Sequence, residues 1–214
     1  MRWVFIILFL SALVGQSKYP ADSLLASKDI SIIHKIGILP IAGWQRISYN
    51  TNLLNCQFYP SCSNYGAEAV KQYGLIRGGA MASERIVRCN PFAFHYQLKY
   101  QQPFHQKDGR FEDPIFPLQH AQSKKSPILA GVLSAILPGA GRMYAGRVLD
   151  GIMGTWVMFM VGNTAYLAYK NEKPIAAPVY STMAVFVYMG EIYGAWRAAK
   201  YNHLPEQSSF NSIN

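Results

Sequence analysis

Cys56-Gln57-Phe58-Tyr59-Pro60-Ser61-Cys62-Ser63-Asn64-Tyr65, followed downstream by Arg88-Cys89-Asn90-Pro91, carries every cysteine of the chain. Two thiols flank a turn built on Pro60, and the third closes a helical segment. After the turn, Ser63 or Asn64 is placed to cap a helix through Tyr65–Tyr73, with Glu68 in its first turns and Gly74 as its stop. A second helix runs from about Gly79 to Arg88 and halts at Asn90-Pro91. Tyr65, Ala69 and Tyr73 share one face of the first helix. Gly79, Ala82, Ile86 and Cys89 form a stripe on the second, with Arg77, Arg85 and Arg88 largely opposite. The spacing predicts a helical hairpin in which Cys89 approaches Cys62, and no strand pattern competes with it.

Outside this unit the composition points to lipid. Of 214 residues, 50% are hydrophobic and only 14% are charged, below the roughly 25% charged residues of a soluble domain. The formal charge is +9, and a basic surface beside hydrophobic segments suits anionic headgroups. No nucleic-acid-binding module accompanies the charge, so nucleic acid is excluded as a partner. Upstream of the cysteines, the segment 32–47 mixes Ile36, Ile41, Trp44 and Ile47 with Lys35, Gln45 and Arg46, an amphipathic helix interrupted by Pro40. Trp44, Arg46 and Arg77 are the candidate membrane-interface residues.

The rest of the chain divides by pattern. Residues 1–16, with Arg2 and the apolar run Trp3–Val14, read as a signal peptide or an N-terminal anchor. Residues 30–96 hold the three-cysteine domain, and 97–126 read as a linker without periodicity. Residues 127–200 form the hydrophobic part, and 201–214 read as a disordered tail. Val148–Tyr169 and Ile175–Trp196 are each long enough to span a bilayer, joined by Lys170-Asn171-Glu172-Lys173-Pro174. Arg142, Arg147, Arg197 and Lys200 lie at the two ends of that hairpin, which places the ends in the cytoplasm. The expected fold is therefore all-α: a small three-Cys helical domain plus a C-terminal transmembrane helical hairpin, with two or three membrane segments. Asp150, Asn163 and Glu191 then become intramembrane polar residues, the acids pairing with Arg147 or Arg197 and Asn163 bonding between helices.

The run Cys56–Tyr65, with Glu68-Ala69, Tyr73-Gly74-Leu75, Arg77-Gly78-Gly79, Arg85-Ile86, Arg88-Cys89 and Pro91, resembles the YidD family of membrane protein insertion efficiency factors. The resemblance covers about residues 36–92 and marks Cys56, Tyr59, Pro60, Cys62, Tyr65, Arg85, Arg88, Cys89 and Pro91 as motif positions. It implies a small bacterial membrane-associated factor that assists YidC/Sec insertion of inner-membrane proteins, without catalytic chemistry, cofactor or metal. Asn90-Pro91-Phe92-Ala93-Phe94-His95 stands where that family continues with His-Pro and Gly-Gly-x-Asp-Pro. Downstream, Leu137-Pro138-Gly139-Ala140-Gly141 with Tyr144-Ala145-Gly146 is similar to the opening of small bacterial membrane-hairpin domains.

Sharper chemistry is weighed against this. Cys56, Cys62 and Cys89 with His95 make a Cys3His set, but Cys-x5-Cys is looser than structural zinc spacings. A Cys62 nucleophile with His34 or His95 lacks anything to orient the base. The cysteines therefore read as structural: buried thiols, or one disulfide including Cys89 if the domain is exported. The functional expectation is a non-enzymatic accessory factor integral to the bacterial inner membrane. Its partners would be the lipid bilayer, nascent membrane proteins and the insertion machinery. A membrane-perturbing, lytic protein and a thiol-dependent enzyme are the alternatives.

Overall fold

The computed structural model describes residues 19–51, 56–115 and 125–201. Eight helices and one minimal sheet make up this part. They are α1 (Pro20–Ala26), α2 (Ile32–Ser48), β1 (Phe58–Tyr59), α3 (Cys62–Arg88), α4 (Ala93–Lys99), β2 (Phe111–Glu112), α5 (Pro127–Ile136), α6 (Ala140–Tyr144), α7 (Val148–Lys170) and α8 (Ala176–Tyr201). The expected signal peptide or anchor, and nearly all of the expected tail, lie outside the described residues.

Helix α3 is two helices in one run. Ser61 caps its start, accepting from the Asn64 amide at 3.4 Å. At Gly74 the backbone turns through φ 80°, a conformation that costs a side chain dearly but glycine little. The chain then folds back, so that Gly78 lies on the backbone of Ala69 and Val70, and Gly66 lies on Ala82. Helix α2 packs along this hairpin through Gly37, Ile38 and Ala42. Ala21, Ala67 and Val70 complete that core. Gln45 bolts three helices together: its carbonyl accepts from the Ala21 amide at 3.0 Å, and its amide donates to Asn64 Oδ1 at 2.8 Å. Pro40 does not interrupt α2. It sits on the exposed side, where the lost hydrogen bond leaves a carbonyl for solvent.

The segment expected as a linker contributes to the packed body. β2 pairs with β1 in parallel, Phe58 beside Phe111 and Tyr59 beside Glu112, and Asp113 follows it into the interior. The C-terminal helices pack on small residues: Ala130 of α5 and Ala145 meet Ala195, Ala198 and Ala199 of α8. Gly79 of α3 receives the ring of Phe186, which seats α8 against the cysteine-bearing hairpin.

The transmembrane hairpin expected over residues 127–200 is corrected here. Among the described residues no helix is long and apolar enough to cross a membrane. Length is not the obstacle, since α7 has 23 residues and α8 has 26. Polarity is: Thr155, Asn163 and Thr164 dilute α7, and Ser181, Thr182 and Glu191 dilute α8. Tyr, Trp and Gly, which fill both runs, contribute little transfer energy although they read as uncharged. Without a spanning helix among the described residues the arginine asymmetry sets no orientation, and the C-terminal helices give no support to integral placement. No similarity to a membrane-hairpin domain supports the C-terminal half either.

Candidate functional site

The hairpin of α3 brings the cysteines together. Cys62 starts α3, Cys89 ends it, and the fold at Gly74 lays those ends side by side. Cys56 lies two residues before β1, which leads into the Pro60 turn. The three Sγ atoms lie within 4.8 Å of one another, and Cys56 Sγ stands 3.3 Å from Cys62 Sγ. All three are free thiols. The Cys62 amide donates to Cys56 Sγ at 3.3 Å. Hydrogen bonds from the Cys62 and Cys89 thiols hold Cys56 well below the ordinary thiol range. The backbone amides of Phe58 and Cys62 add to that effect. Cys62 and Cys89, bonded to Cys56, are pushed up in turn. His95 is exposed on α4 and is not part of the cluster.

The motif residues around the sulfurs divide between a wall and a buried ionic lattice. Tyr59, joined to Pro60 by a cis peptide bond, stacks on His105 at 3.7 Å between ring centroids, with Arg110 5.1 Å from its ring. Tyr65 is fully buried under the Arg85 guanidinium, 4.3 Å from the ring centroid, and burial raises its hydroxyl above the usual range. Pro91 is exposed just past the helix end.

Arg85 and Arg88 belong to the helix face opposite the apolar stripe. Both are buried, and buried Glu84 directly precedes Arg85 in sequence. Arg88 Nη2 donates to Asp113 Oδ2 at 2.6 Å and to Glu84 Oε2 at 3.1 Å, and Arg85 Nε lies 3.2 Å from the same Asp113 oxygen. Arg197 of α8 donates to Asp113 Oδ1 at 2.7 Å. Arg142 of α6 donates to Glu191 Oε2 at 3.1 Å and lies 3.5 Å from Glu84 Oε1. Asp150 accepts from Arg147 Nε at 2.6 Å and from Asn90 Nδ2 at 2.9 Å. Burial alone would raise Glu84, but Arg88, Arg197 and Arg142 outweigh it and bring its carboxyl down to about 2. Asp113 is likewise held far below the carboxylate range by Arg197, Arg88 and Arg85 against burial. Glu191 goes the other way: burial dominates and Arg142 only partly offsets it. Asn163 is exposed on α7. Glu84, Asp113 and Arg142 were missed by sequence reasoning. The i, i+4 pair Glu84–Arg88 and the i, i+3 pair Arg147–Asp150 are the local traces of the lattice.

Beside the sulfurs opens a groove of about 1220 Å³. Trp44 of α2, Ile86 of α3 and Met183 of α8 line it, and they are 50%, 62% and 48% exposed. Cys56, Cys62 and Cys89 lie along the same groove with Tyr59 and Arg110. The other two interface candidates stand apart: Arg46 pairs with Asp22 at 3.0 Å, and exposed Arg77 covers the Tyr73 ring at 4.4 Å.

The sequence profile of YidD, described as "Putative membrane protein insertion efficiency factor", matches residues 33–97. A protein of that description from Colwellia psychrerythraea is 36% identical over 96 residues, covering 45% of this chain and 99% of that protein. The chain belongs to the YidD family. A YidD relative from Oleidesulfovibrio alaskensis is 49% identical over 59 residues, 28% of this chain and 69% of its own length. Another from Rubrobacter xylanophilus is 44% identical over 59 residues, 28% of this chain and 84% of its own. No solved structure matches the chain. The YidD region takes in α2, the cysteine hairpin and α4, while α5–α8 lie beyond it. The family is described by a role in insertion rather than by a reaction.

Proposed function

We propose that this YidD protein is a non-enzymatic accessory factor that assists insertion or folding of bacterial inner-membrane proteins, by receiving a hydrophobic client segment in the groove between α2, α3 and α8. The observation that carries the reading is the groove lining: Trp44, Ile86 and Met183 come from three helices and stand half-exposed around one channel. Leaving large apolar side chains in water forgoes roughly 25 cal/mol for each Å² not buried, so such a channel favours an apolar occupant. Ile32, Ile33, Ile36, Leu39 and Ile47 extend the exposed apolar surface of α2. That surface suits peripheral contact with a lipid bilayer at its interface, next to the insertion machinery, without a spanning helix. Tyr59 and Arg110 give the groove a polar end where a client's flanking charges would rest.

The test is insertion of a reporter inner-membrane protein in a strain lacking this protein and carrying a plasmid copy. Wild type restores insertion; Ile86→Glu and Met183→Glu, at equal protein abundance, restore little of it. Unchanged insertion in the deletion strain itself removes the proposal.

A further inference from the structure

We propose that Cys56, Cys62 and Cys89 are the three thiolate ligands of a site for a thiophilic divalent cation of the zinc class, with a fourth coordination position open to the groove. Sulfurs bound to one such ion at about 2.3 Å stand about 3.8–4.0 Å apart. The three sulfurs already lie within 4.8 Å of one another, one pair at 3.3 Å, so sub-ångström adjustments converge them on a common centre. The mounting is rigid on two sides, because Cys62 and Cys89 are the two ends of one helical hairpin. Backbone amides serve the sulfurs as outer partners: those of Phe58 and Cys62 point to Cys56, and that of Gln57 to Cys89. Such amides are the support that metal-bound thiolates use.

Charge favours the same assignment. Three thiolates around a divalent ion carry one net negative charge. Among the described buried residues there are five arginines, 85, 88, 142, 147 and 197, against four acids, 84, 113, 150 and 191. Arg85 is fully buried between Phe58 and Tyr65 and acts electrostatically on Cys62; none of its nitrogens makes a well-aligned hydrogen bond, and its Nε shares one Asp113 oxygen with Arg88. A loaded site beside this residue adds the negative charge that balances the excess of one buried arginine over the buried acids. Uptake releases the thiol protons to solvent, with no change in oxidation state. The groove gives the ion its path in, and the exposed position of His95 on α4 leaves the fourth place to solvent or to a donor carried by the groove's occupant. A Cys56–Cys62 disulfide, the other use of the close pair, would leave Cys89 without a partner and requires an oxidant.

The test uses the full chain purified under reductant. Zinc is quantified by mass spectrometry, and cobalt(II) is titrated in without oxygen. We expect one ion per chain, a thiolate-to-cobalt charge-transfer band saturating at one equivalent, and displacement of cobalt by zinc. Cys62→Ser and Cys89→Ser lose the saturable band, whereas Arg85→Met keeps it with about tenfold weaker affinity, the size of an outer-partner loss. Should a serine variant fail to fold, alkylation of the wild-type thiols decides: zinc protects all three cysteines together. Equal alkylation rates with and without zinc, a band that survives in Cys62→Ser, or a Cys56–Cys62 disulfide in protein from a reducing extract overturns the site. Insertion activity does not enter these readouts, so this inference and the insertion role fail separately.

Discussion

The YidD region and the C-terminal helices are cohesive for different reasons. Helices α2 and α3 bury a conventional apolar core, with Ile38, Ala42, Ala67 and Val70, and draw their two halves together at one glycine. Helices α5–α8 pack on alanines and leave about half of their large apolar side chains exposed. Besides the Phe186 ring seated on Gly79, ionic contacts join the regions: Arg142, Arg197 and Arg147 reach from the C-terminal side to Glu84, Asp113 and, with Asp150, to Asn90. The contrast teaches that the C-terminal helices act as the other half of a wall. They complete the counter-charges of the cysteine hairpin and contribute Met183 to its groove.

The largest effect expected is from Glu84→Ala. It leaves Arg88 and Arg142 facing one carboxylate fewer in a dry interior, a loss of about 3–5 kcal/mol by analogy with broken buried pairs. Chemical unfolding of the full chain should show one lowered transition for both regions. Two transitions, with the C-terminal one unmoved, would break the comparison. Next comes acid. Glu84 titrates at a lower pH folded than unfolded, so protons favour the unfolded chain. The stabilisation is complete above about pH 4.5 and is lost as the pH falls toward about 2. Glu84→Gln should flatten that part of a pH–stability profile; an unaltered profile would remove Glu84 from the joint. Gly74→Ala, confined to the YidD region, forces a side chain into φ 80°, ψ 175° and should cost about 1–3 kcal/mol in the same unfolding assay. The smallest effect is from Arg77→Ala, an exposed cation over Tyr73, at about 0.5–1 kcal/mol. A larger loss there would mean that the hairpin's outer face bears load the structure does not show.

The hairpin was legible because its signals are local. Gly74 is a stop wherever it is met, and the ends of a helix that doubles back must meet, which places Cys62 near Cys89. Asp150 and Glu191 were expected as intramembrane acids pairing with Arg147 or Arg197; no spanning helix holds them, and inside the packed body Asp150 takes Arg147 while Glu191 takes Arg142. The lattice around Glu84 was not legible, because Asp113 and Arg197 are 84 residues apart and Asp113 lies in a segment without periodicity. The burial of Arg85 and Arg88, opposite the apolar stripe, was not legible for the same reason: the Asp113 carboxylate that pairs with them is distant in sequence. The apolar runs over 148–196 misled by length. Their tyrosines, glycines and threonines break no pattern, yet they withhold the transfer energy that a spanning helix needs.

The account rests on a groove walled by both regions, and site-specific photocrosslinking tests it most directly. A photoreactive residue is placed singly at Trp44, Ile86 or Met183, with exposed Tyr169 as control, and crosslinks to a nascent inner-membrane protein are scored. The account predicts adducts from all three groove positions and none from Tyr169. Adducts from Trp44 and Ile86 but none from Met183, or none from any of the three, would contradict it.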